Sequence, residues 1–283
     1  MRIAVCLSGY LRCYKFLEEN FKLLFLRELR KLGSVDIFIS TWDKLNSKSC
    51  CSVHRNTVPE VQYGDFDFYD VHRAYEPVDC VIGSYEEIKQ KFLISNFVKD
   101  VGLKTLLPDI HDDGVLYGLA QYYHRKAVND LKQNYEAESG FKYDIVIAMR
   151  PDLIFLKPFS LQNFDPEKLY LRTFYNDAFL VSSSLWDDKI SNLFHNVRGI
   201  AEKYGQTKFE WFEPFAPEYW LENHYKDIGL GMDKRVELGE DTFWYFPKKD
   251  FLALCNHIYQ KTGNPEGIQY LLDYFRRHNT PYF

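Results

Sequence analysis

Three apolar segments dominate the hydrophobic pattern of this chain, and each of them ends abruptly in polar residues. The segments span residues 3–7, 35–39 and 145–149, and they are rich in aliphatic side chains without regular polar alternation. Hydrophobic runs of this kind are typical of central strands that are buried on both faces. The pattern therefore predicts an α/β fold with a mostly parallel central sheet.

A helical pattern separates the first two segments. Apolar residues recur there at three- and four-residue steps, which gives a helix one apolar face. They are Phe16, Leu17, Phe21, Leu24, Phe25 and Leu29. Strand, helix and strand in this order form a right-handed unit with parallel strands. We therefore expect the carboxyl ends of the two strands at the same edge of the sheet.

The polar residues at these two strand ends are the first candidate ligand contacts. Ser8, Gly9 and Arg12 offer a hydroxyl, close approach to the backbone and a positive charge beside a helix start, a layout that suits a phosphate. Thr41 and Asp43 end the second strand, and the carboxylate there could hydrogen-bond a ribose or a base. The chain has neither GxGxxG nor GxxxxGK[ST], and a purely structural turn is the alternative for Ser8 and Gly9.

The third segment ends in Arg150, Pro151 and Asp152. Proline cannot donate a ladder hydrogen bond, so a central strand must stop or bulge there. A guanidinium and a carboxylate are thereby placed at the carboxyl end of a buried strand, where open α/β sheets bind ligands. Arginine pairs with phosphate oxygens and aspartate binds divalent cations. An ion pair between Arg150 and Asp152 within the loop is the competing interpretation.

The remaining pattern alternates between helices and short strands. It predicts a strand at 76–83, a long helix at 115–138, a strand at 177–181, a helix at 185–204, a helix that begins at Pro217 and a helical tail from 250. The chain has no internal repeat and no Pro- or Ser-rich linker, so we predict a single domain over residues 1–283.

Composition and charge restrict the function classes. The formal net charge of −5 and the pI near 5.9 argue against binding to nucleic acid or anionic membranes, which would need a basic surface. No apolar run approaches the ~20 residues that span a bilayer, so no transmembrane segment is predicted. The six cysteines show neither a disulfide framework nor zinc-site spacing. We therefore predict reduced thiols and a cytoplasmic location, the host cytosol if the protein is viral.

Three segments together resemble a known group of proteins. They are IAVCLSGYLR at 3–12, DIFISTWD at 36–43 and YDIVIAMRPDL at 143–153. The segments are similar to small glycosyltransferase-like proteins of microbial and large-virus glycan-synthesis loci, which are similar to the GT-A class of nucleotide-sugar enzymes. The likeness covers roughly residues 1–240. It implies a GT-A-like, Rossmann-type single domain with a mixed, mostly parallel sheet flanked by helices. Residues 1–155 would form the donor half, and 156–283 the acceptor half and C-terminal helices.

The resemblance also implies a metal site and helical donor contacts. GT-A enzymes usually carry Asp-x-Asp at a strand end, and this chain has Arg150 in place of the first acid. Asp152 is then the predicted ligand of Mn²⁺ or Mg²⁺, which a single carboxylate and donor phosphates can hold. In the resembling group the long helix carries a glutamine and an aromatic residue that approach the donor. Gln121 and Tyr117 occupy those positions here.

The sequence offers three candidates for the catalytic base. An inverting reaction needs a carboxylate that accepts the proton of the acceptor hydroxyl. Glu218, Asp241 and Asp177 are the candidates, and Glu218 is the first choice because a Pro-Glu helix start follows an aromatic-rich segment. A retaining mechanism needs no such base, so the stereochemistry of the reaction stays open.

The implied function is that of a hexosyl- or pentosyltransferase. It would move a sugar from a nucleotide sugar, with UDP favoured, to a hydroxyl of an oligosaccharide or glycan acceptor. The expected donor contacts are Ser8, Gly9, Arg12, Thr41, Asp43, Tyr117, Gln121, Arg150 and Asp152. A non-catalytic nucleotide- or glycan-binding protein with the same fold is the alternative, because the first acid of Asp-x-Asp is replaced.

Overall fold

A computed structural model of the chain describes residues 1–11, 14–43, 68–84, 112–155, 157–161, 163–172, 178–204, 217–238 and 243–245. The strands are β1 (Arg2–Ser8), β2 (Ser34–Trp42), β3 (Asp79–Gly83), β4 (Ile145–Met149), β5 (Leu153–Phe155), β6 (Leu169–Leu171), β7 (Phe179–Ser182), β8 (Arg235–Glu237) and β9 (Phe243–Tyr245). The helices are α1 (Tyr14–Asn20), a π-helical segment (Phe21–Leu26), α2 (Arg27–Arg30), α3 (Phe68–Tyr75), α4 (Asp112–Ser139), α5 (Ser184–Ser191), α6 (Leu193–Tyr204), α7 (Pro217–Asp227) and a short 3-10 helix (Met232–Lys234).

A seven-stranded sheet in the order β3-β2-β1-β4-β7-β6-β8 organises these elements. The strands from β3 to β4 run parallel, and β7 is antiparallel to both of its neighbours. β5 and β9 form a separate antiparallel pair. The described part of the chain is therefore an α/β fold of Rossmann-like type with a mixed, mostly parallel sheet, which confirms the predicted fold class at this level.

Helices cover the central strands on both sides. Ile3, Val5 and Leu7 of β1 belong to a core that includes residues of α1, α2 and α3. Ala4 and Cys6 belong to the opposite core, which includes residues of α4, α5, α6 and α7. Successive side chains of a strand point to opposite faces. A strand between two helical layers is consequently apolar at every position, as the sequence pattern indicated.

The segment between β1 and β2 is helical as predicted, but its middle part is a π-helix. Leu24, Phe25 and Leu26 are buried in succession there, because wider turns change the phase of the apolar face. Phe25 stacks on Phe155 of β5 with 4.6 Å between ring centroids. Asn20 holds the same strand, since its amide donates to the Phe155 carbonyl at 2.9 Å and accepts from the Phe155 amide at 2.8 Å.

The later elements confirm the predicted third strand, long helix and Pro217 helix start as β3, α4 and α7. The single helix predicted at 185–204 is wrong, because α5 and α6 separate at Asn192. Ser191 Oγ donates to the Asp188 carbonyl at 3.0 Å, and such bonds compete with the helical ladder. The predicted tail helix from 250 lies outside the described residues. No helix in the described ranges is long and apolar enough to cross a membrane.

Candidate functional site

The candidate site lies at the carboxyl ends of β1, β2 and β4. These strands are parallel neighbours, with Ser8 paired to Ser40 and Leu7 paired to Met149. The residues that follow them are therefore brought to one edge, which we call the carboxyl edge. Backbone hydrogen bonds fix two of these ends, from Gly9 N to Ser40 O at 3.0 Å and from Arg150 N to Ala178 O at 2.9 Å.

Gly9 has a conformation that favours glycine. Its φ is +112°, a value that residues with a Cβ rarely adopt. A Cβ built at this position would meet no heavy atom within 4 Å, so the space beside the backbone is open. Ser8 and Gly9 are half-buried. The backbone of Gly9 therefore has open space beside it, and its contact with a donor stays a prediction.

The end of β2 is only partly available to a ligand. Thr41 is fully buried, and its hydroxyl has no hydrogen-bond partner among the residues that the structure describes. Trp42 is buried too, and its ring lies 5.5 Å from the ring of Tyr10. Asp43 is exposed, and its amide donates to the Gly83 carbonyl at 3.0 Å. Of the residues predicted to contact a donor here, Asp43 is accessible, whereas the Thr41 side chain lies beneath the edge.

His124 is a residue of this edge that the sequence reasoning missed. Its Nδ1 lies 2.7 Å from Ser40 Oγ, and its ring meets the Trp42 ring edge-on at 4.1 Å. Burial lowers the pKa of His124 to about 3, so the ring is neutral near pH 7. Helical spacing was the available signal, since His124 follows Gln121 and Tyr117 by three and seven residues on the same face of α4.

Tyr117 and Gln121 themselves are placed less fully. Both belong to α4, and Gln121 is half-buried. The side chain of Tyr117 lies outside the described part of the chain. The helix thus runs to the predicted edge, because His124 on the same face contacts Ser40 and Trp42.

Arg150 and Asp152 form a bidentate ion pair after β4. Arg150 Nε donates to Asp152 Oδ1 at 2.9 Å, and Nη2 donates to Oδ2 at 2.6 Å. The Arg150 side chain is 23% exposed and that of Asp152 is 4% exposed. Burial, with smaller contributions from Glu18, Tyr14 and Asp152, raises the pKa of Tyr75 far above its ordinary value, which indicates that Asp152 is near the α3 layer.

This pairing bears directly on the predicted metal site. Both carboxylate oxygens of Asp152 accept hydrogen bonds from Arg150. Within the described ranges, no group of three or more His, Cys, Asp or Glu residues could hold a metal ion. Mg²⁺ and Mn²⁺ need several oxygen ligands. A Mn²⁺ or Mg²⁺ ion bound by Asp152 and donor phosphates would therefore have to replace a hydrogen bond from Arg150, and the metal site stays a prediction.

Of the three candidate bases, Glu218 is the one that the described residues include. Glu218 is half-buried in the first turn of α7, and the following Tyr219 and Trp220 pack in the core on the α4 side of the sheet. Leu153 and Phe155, which follow Asp152 in the sequence, belong to the opposite core. Asp177, Asp241 and Arg12 lie outside the described residues.

A second charged cluster, the α4–α5 network, consists of Lys132, Glu136, Ser184, Asp187 and Asp188. Lys132 Nζ donates to Ser184 Oγ at 2.7 Å and to Asp188 Oδ1 at 2.8 Å. Glu136 accepts from Ser184 Oγ at 2.6 Å. Burial alone would lower the pKa of Lys132, but Asp187 and Asp188 raise it, so its ammonium is charged at neutral pH. Sequence analysis gave no indication of this network.

The pKa values of the two aspartates in the network are shifted in opposite directions. Burial raises the pKa of Asp187 above its ordinary value despite the nearby Lys132. Burial also acts to raise the pKa of Asp188, but Lys132, Gln133 and Lys142 together outweigh it, and the pKa is lowered. The surroundings therefore favour the charged form of Asp188, which accepts a hydrogen bond directly from the Lys132 ammonium, and disfavour the charged form of Asp187.

Comparison with protein families and with curated proteins identified no relative of this chain. No protein-family model matches the chain, and no curated protein matches it. The functional assignment therefore depends on the residues at the carboxyl edge and on the chemistry that they can perform.

Proposed function

We propose that the chain is a GT-A-type glycosyltransferase that transfers a sugar from a nucleotide sugar, with UDP favoured, to a hydroxyl of a glycan acceptor. The observation that carries the proposal is the convergence of the polar ends of β1, β2 and β4 at one edge of the sheet. Open α/β sheets bind nucleotides at this place. The antiparallel β7 beside β4 adds support, because the resemblance implies a change from parallel to antiparallel strands after the Arg-Pro-Asp segment.

Each strand end has a role in the proposed donor site. The open backbone at Gly9 admits a phosphate or sugar at close range, and the exposed Asp43 carboxylate can accept hydrogen bonds from a ribose. Arg150, with Arg12 after β1, supplies the positive charge that a leaving diphosphate requires. Trp42 is assigned a supporting role, because it is buried between Tyr10 and His124.

The metal remains a separate question in this proposal. A Mn²⁺ or Mg²⁺ ion, when bound, would stabilise the charge of the leaving diphosphate. The Asp152 carboxylate is already engaged on both oxygens by Arg150, so we derive no catalytic step from a metal at Asp152. The predicted metal assistance and the predicted cytoplasmic location both stay predictions.

The base can be tested by substitution. Glu218→Gln preserves size and hydrogen bonding but removes basicity, so an inverting transferase should lose about 10²–10⁴-fold in transfer rate while donor affinity is unchanged. Both quantities are measured on the same preparation, by product formation and by calorimetric titration of UDP. If Asp241→Asn shows this pattern and Glu218→Gln does not, the base is Asp241. If neither does, Asp177 or a retaining mechanism replaces the assignment.

The function itself is tested with a panel of nucleotide sugars. UDP-, GDP-, CMP- and dTDP-sugars are each added to the full chain, once with EDTA and once with Mn²⁺ and Mg²⁺, and the melting temperature is recorded. A ligand that binds only the folded state raises the melting temperature, and we expect this for at least one sugar nucleotide. A panel without any shift under either condition would contradict the proposal.

A non-catalytic nucleotide- or glycan-binding protein is the second candidate. The engagement of Asp152 by Arg150 favours it, because an enzyme that needed Asp152 as an open metal ligand would be inactive in this arrangement. The two candidates differ in turnover. Transfer of radiolabelled sugar to any glycan acceptor above the background without protein excludes the binding protein, whereas a melting shift without transfer or donor hydrolysis supports it.

A further inference from the structure

We propose that His124 is a positioning residue that fixes the turn after β1 from α4. It reaches this turn by two routes, a hydrogen bond through Ser40 and a ring contact through Trp42. The positioning of the turn is a property of the fold, and its consequence for donor binding rests on the proposed function.

The first route consists of two hydrogen bonds in succession. His124 Nδ1 lies 2.7 Å from Ser40 Oγ, and the Ser40 carbonyl accepts from the Gly9 amide at 3.0 Å. Among the described residues, His124 Nε2 has no hydrogen-bond partner, so the bond to Ser40 is the polar contact that orients the ring. Gly9 has a φ of +112°, and glycine readily adopts many backbone conformations. The position of the turn therefore depends on what holds the Gly9 amide.

Aromatic contacts form the second route. The His124 ring meets the Trp42 ring edge-on, with 4.1 Å between centroids, and the Trp42 ring lies 5.5 Å from the ring of Tyr10. Trp42 and Ala120 of α4 are the buried members of a small apolar cluster against which Tyr10 packs. Aromatic pairs of this kind have preferred geometries and stabilise them. Because Tyr10 follows Gly9, the second route ends at the same turn as the first.

The two routes connect parts of the predicted donor site that lie far apart in the sequence. Gly9 ends β1, whereas Gln121 and Tyr117 precede His124 by three and seven residues on the same face of α4. His124 is buried between this helix and the strand ends, so it sets the distance between the turn and the helix face. A donor that contacts both parts meets a site assembled in advance, which lowers the cost of ordering it on binding.

The experiment measures amide hydrogen exchange at Gly9 by NMR, in the full chain without ligand. His124→Phe retains a ring beside Trp42 but leaves the Ser40 hydroxyl unpaired in the protein interior. Strand ends open locally, without unfolding of the whole domain. If His124 holds the turn, its loss favours this local opening, and exchange at Gly9 should be faster by about 5- to 150-fold, the equivalent of one unpaired buried polar group.

Two further variants separate the hydrogen bond from general packing. His124→Asn retains a polar group near the position of Nδ1 and loses the ring, so exchange at Gly9 should be accelerated less than in His124→Phe. Ser40→Ala combined with His124→Phe replaces both polar partners by apolar groups, which is nearly neutral in energy. Exchange at Gly9 in this double variant should return toward the wild-type rate, whereas a simple packing defect would not be rescued. If His124→Phe does not fold, Ser40→Ala alone carries the test.

Tyr143→Phe is the matched control. The Tyr143 hydroxyl also donates a hydrogen bond to a side chain of β2, to Asp36 at 2.7 Å, but Asp36 lies near the amino end of the strand. Its loss should lower the free energy of unfolding in urea and leave exchange at Gly9 unchanged. A role of His124 limited to the stability of the whole domain would make His124→Phe behave like this control.

Titration of UDP relates the turn to the donor. A residue that acts on a binding site without contacting the ligand changes affinity by about 2- to 30-fold, and we expect a weakening of this size in His124→Phe and none in Tyr143→Phe. Unchanged exchange at Gly9 in His124→Phe, or equal acceleration in the two variants, would overturn the positioning role. Faster exchange with unchanged UDP affinity would overturn its consequence for the donor. Failure of the proposed function looks different, because Gly9 would still respond to His124→Phe while the wild type binds no nucleotide sugar.

Discussion

The two charged clusters of this fold use similar groups in opposite ways. In the α4–α5 network, Lys132 is fully buried and lies within 4 Å of three carboxylates, those of Glu136, Asp187 and Asp188. At the carboxyl edge, Arg150 forms a bidentate ion pair with Asp152, and its side chain is 23% exposed. The ammonium of Lys132 is fully buried, whereas the guanidinium of Arg150 is partly open to solvent.

This difference separates a stabilising ion pair from one that can take part in binding. A buried charge depends on its partners, and removing one of them leaves the others without compensation in a medium that solvates them poorly. A cation at an exposed edge can instead combine with an incoming anion. We therefore expect substitutions in the α4–α5 network to change stability with little effect on binding, and substitution of Arg12, which follows the Gly9 turn in the sequence, to change binding more than stability.

The largest expected effect is that of Lys132→Met. The loss of the buried ammonium that lies within 4 Å of Glu136, Asp187 and Asp188 should lower the free energy of unfolding by about 3–5 kcal/mol. Urea denaturation followed by circular dichroism measures this change. Lys142→Met is the control, because Lys142 contacts the same Glu136 at 2.7 Å but its side chain is 63% exposed. Its loss should cost about 0–1 kcal/mol, and equal costs for the two variants would contradict the comparison.

Arg12→Ala tests the other side of the comparison. Arg12 follows the Gly9 turn in the sequence, and its loss should weaken donor binding by roughly 1.5–3 kcal/mol if it meets a phosphate. Titration of UDP measures the change in the free energy of binding. The free energy of unfolding of the same variant should change by a smaller amount. Arg27→Ala is the control, since Arg27 is exposed on α2. Unchanged donor affinity in Arg12→Ala would assign Arg12 to a surface role.

A further prediction concerns acid stability and His124. Burial lowers the pKa of His124 from 6.5 to about 3, so between these values the unfolded chain binds a proton that the folded chain does not. The His124 contribution to stability is therefore present above about pH 6.5 and is lost as the pH falls toward 3. His124→Gln should reduce the dependence of unfolding free energy on pH in this window by up to ~1.4 kcal/mol per pH unit.

The control for this prediction is His195→Gln, because His195 is exposed on α6. Asp187, whose pKa is raised by burial, acts in the opposite direction, but it is present in both proteins and cancels in their difference. If wild type and His124→Gln lose stability equally between pH 6.5 and 3, His124 is not neutral in the folded protein.

Local sequence patterns predicted where the strands end, because the residues that stop a strand lie next to it in the sequence. The apolar runs, the glycine after β1 and the proline after β4 fixed where the strands stop, and parallel pairing then followed from the intervening helix. The π-helical phase and the separation at Asn192 were missed, because they depend on tertiary contacts and on one side-chain hydrogen bond.

The local sequence pattern could not predict which side chains pair when they lie far apart in the sequence. Lys132 and Asp188 are 56 residues apart, and nothing in either local sequence pairs them. His124 and Ser40 are 84 residues apart, although the helical spacing from Gln121 could have suggested the face. The Arg150–Asp152 pair was weighed as one of two interpretations, and only the structure showed that it occupies both carboxylate oxygens.

Hydrogen–deuterium exchange of the full chain with and without saturating UDP tests most directly whether the carboxyl edge binds the donor. In EDTA, we expect slower exchange in peptides that contain Gly9, Asp43 and Arg150, which end the three neighbouring strands. Peptides that contain Lys132 should exchange at an unchanged rate. Exchange that is unchanged at all three strand ends while UDP is bound would place the nucleotide elsewhere and contradict the account.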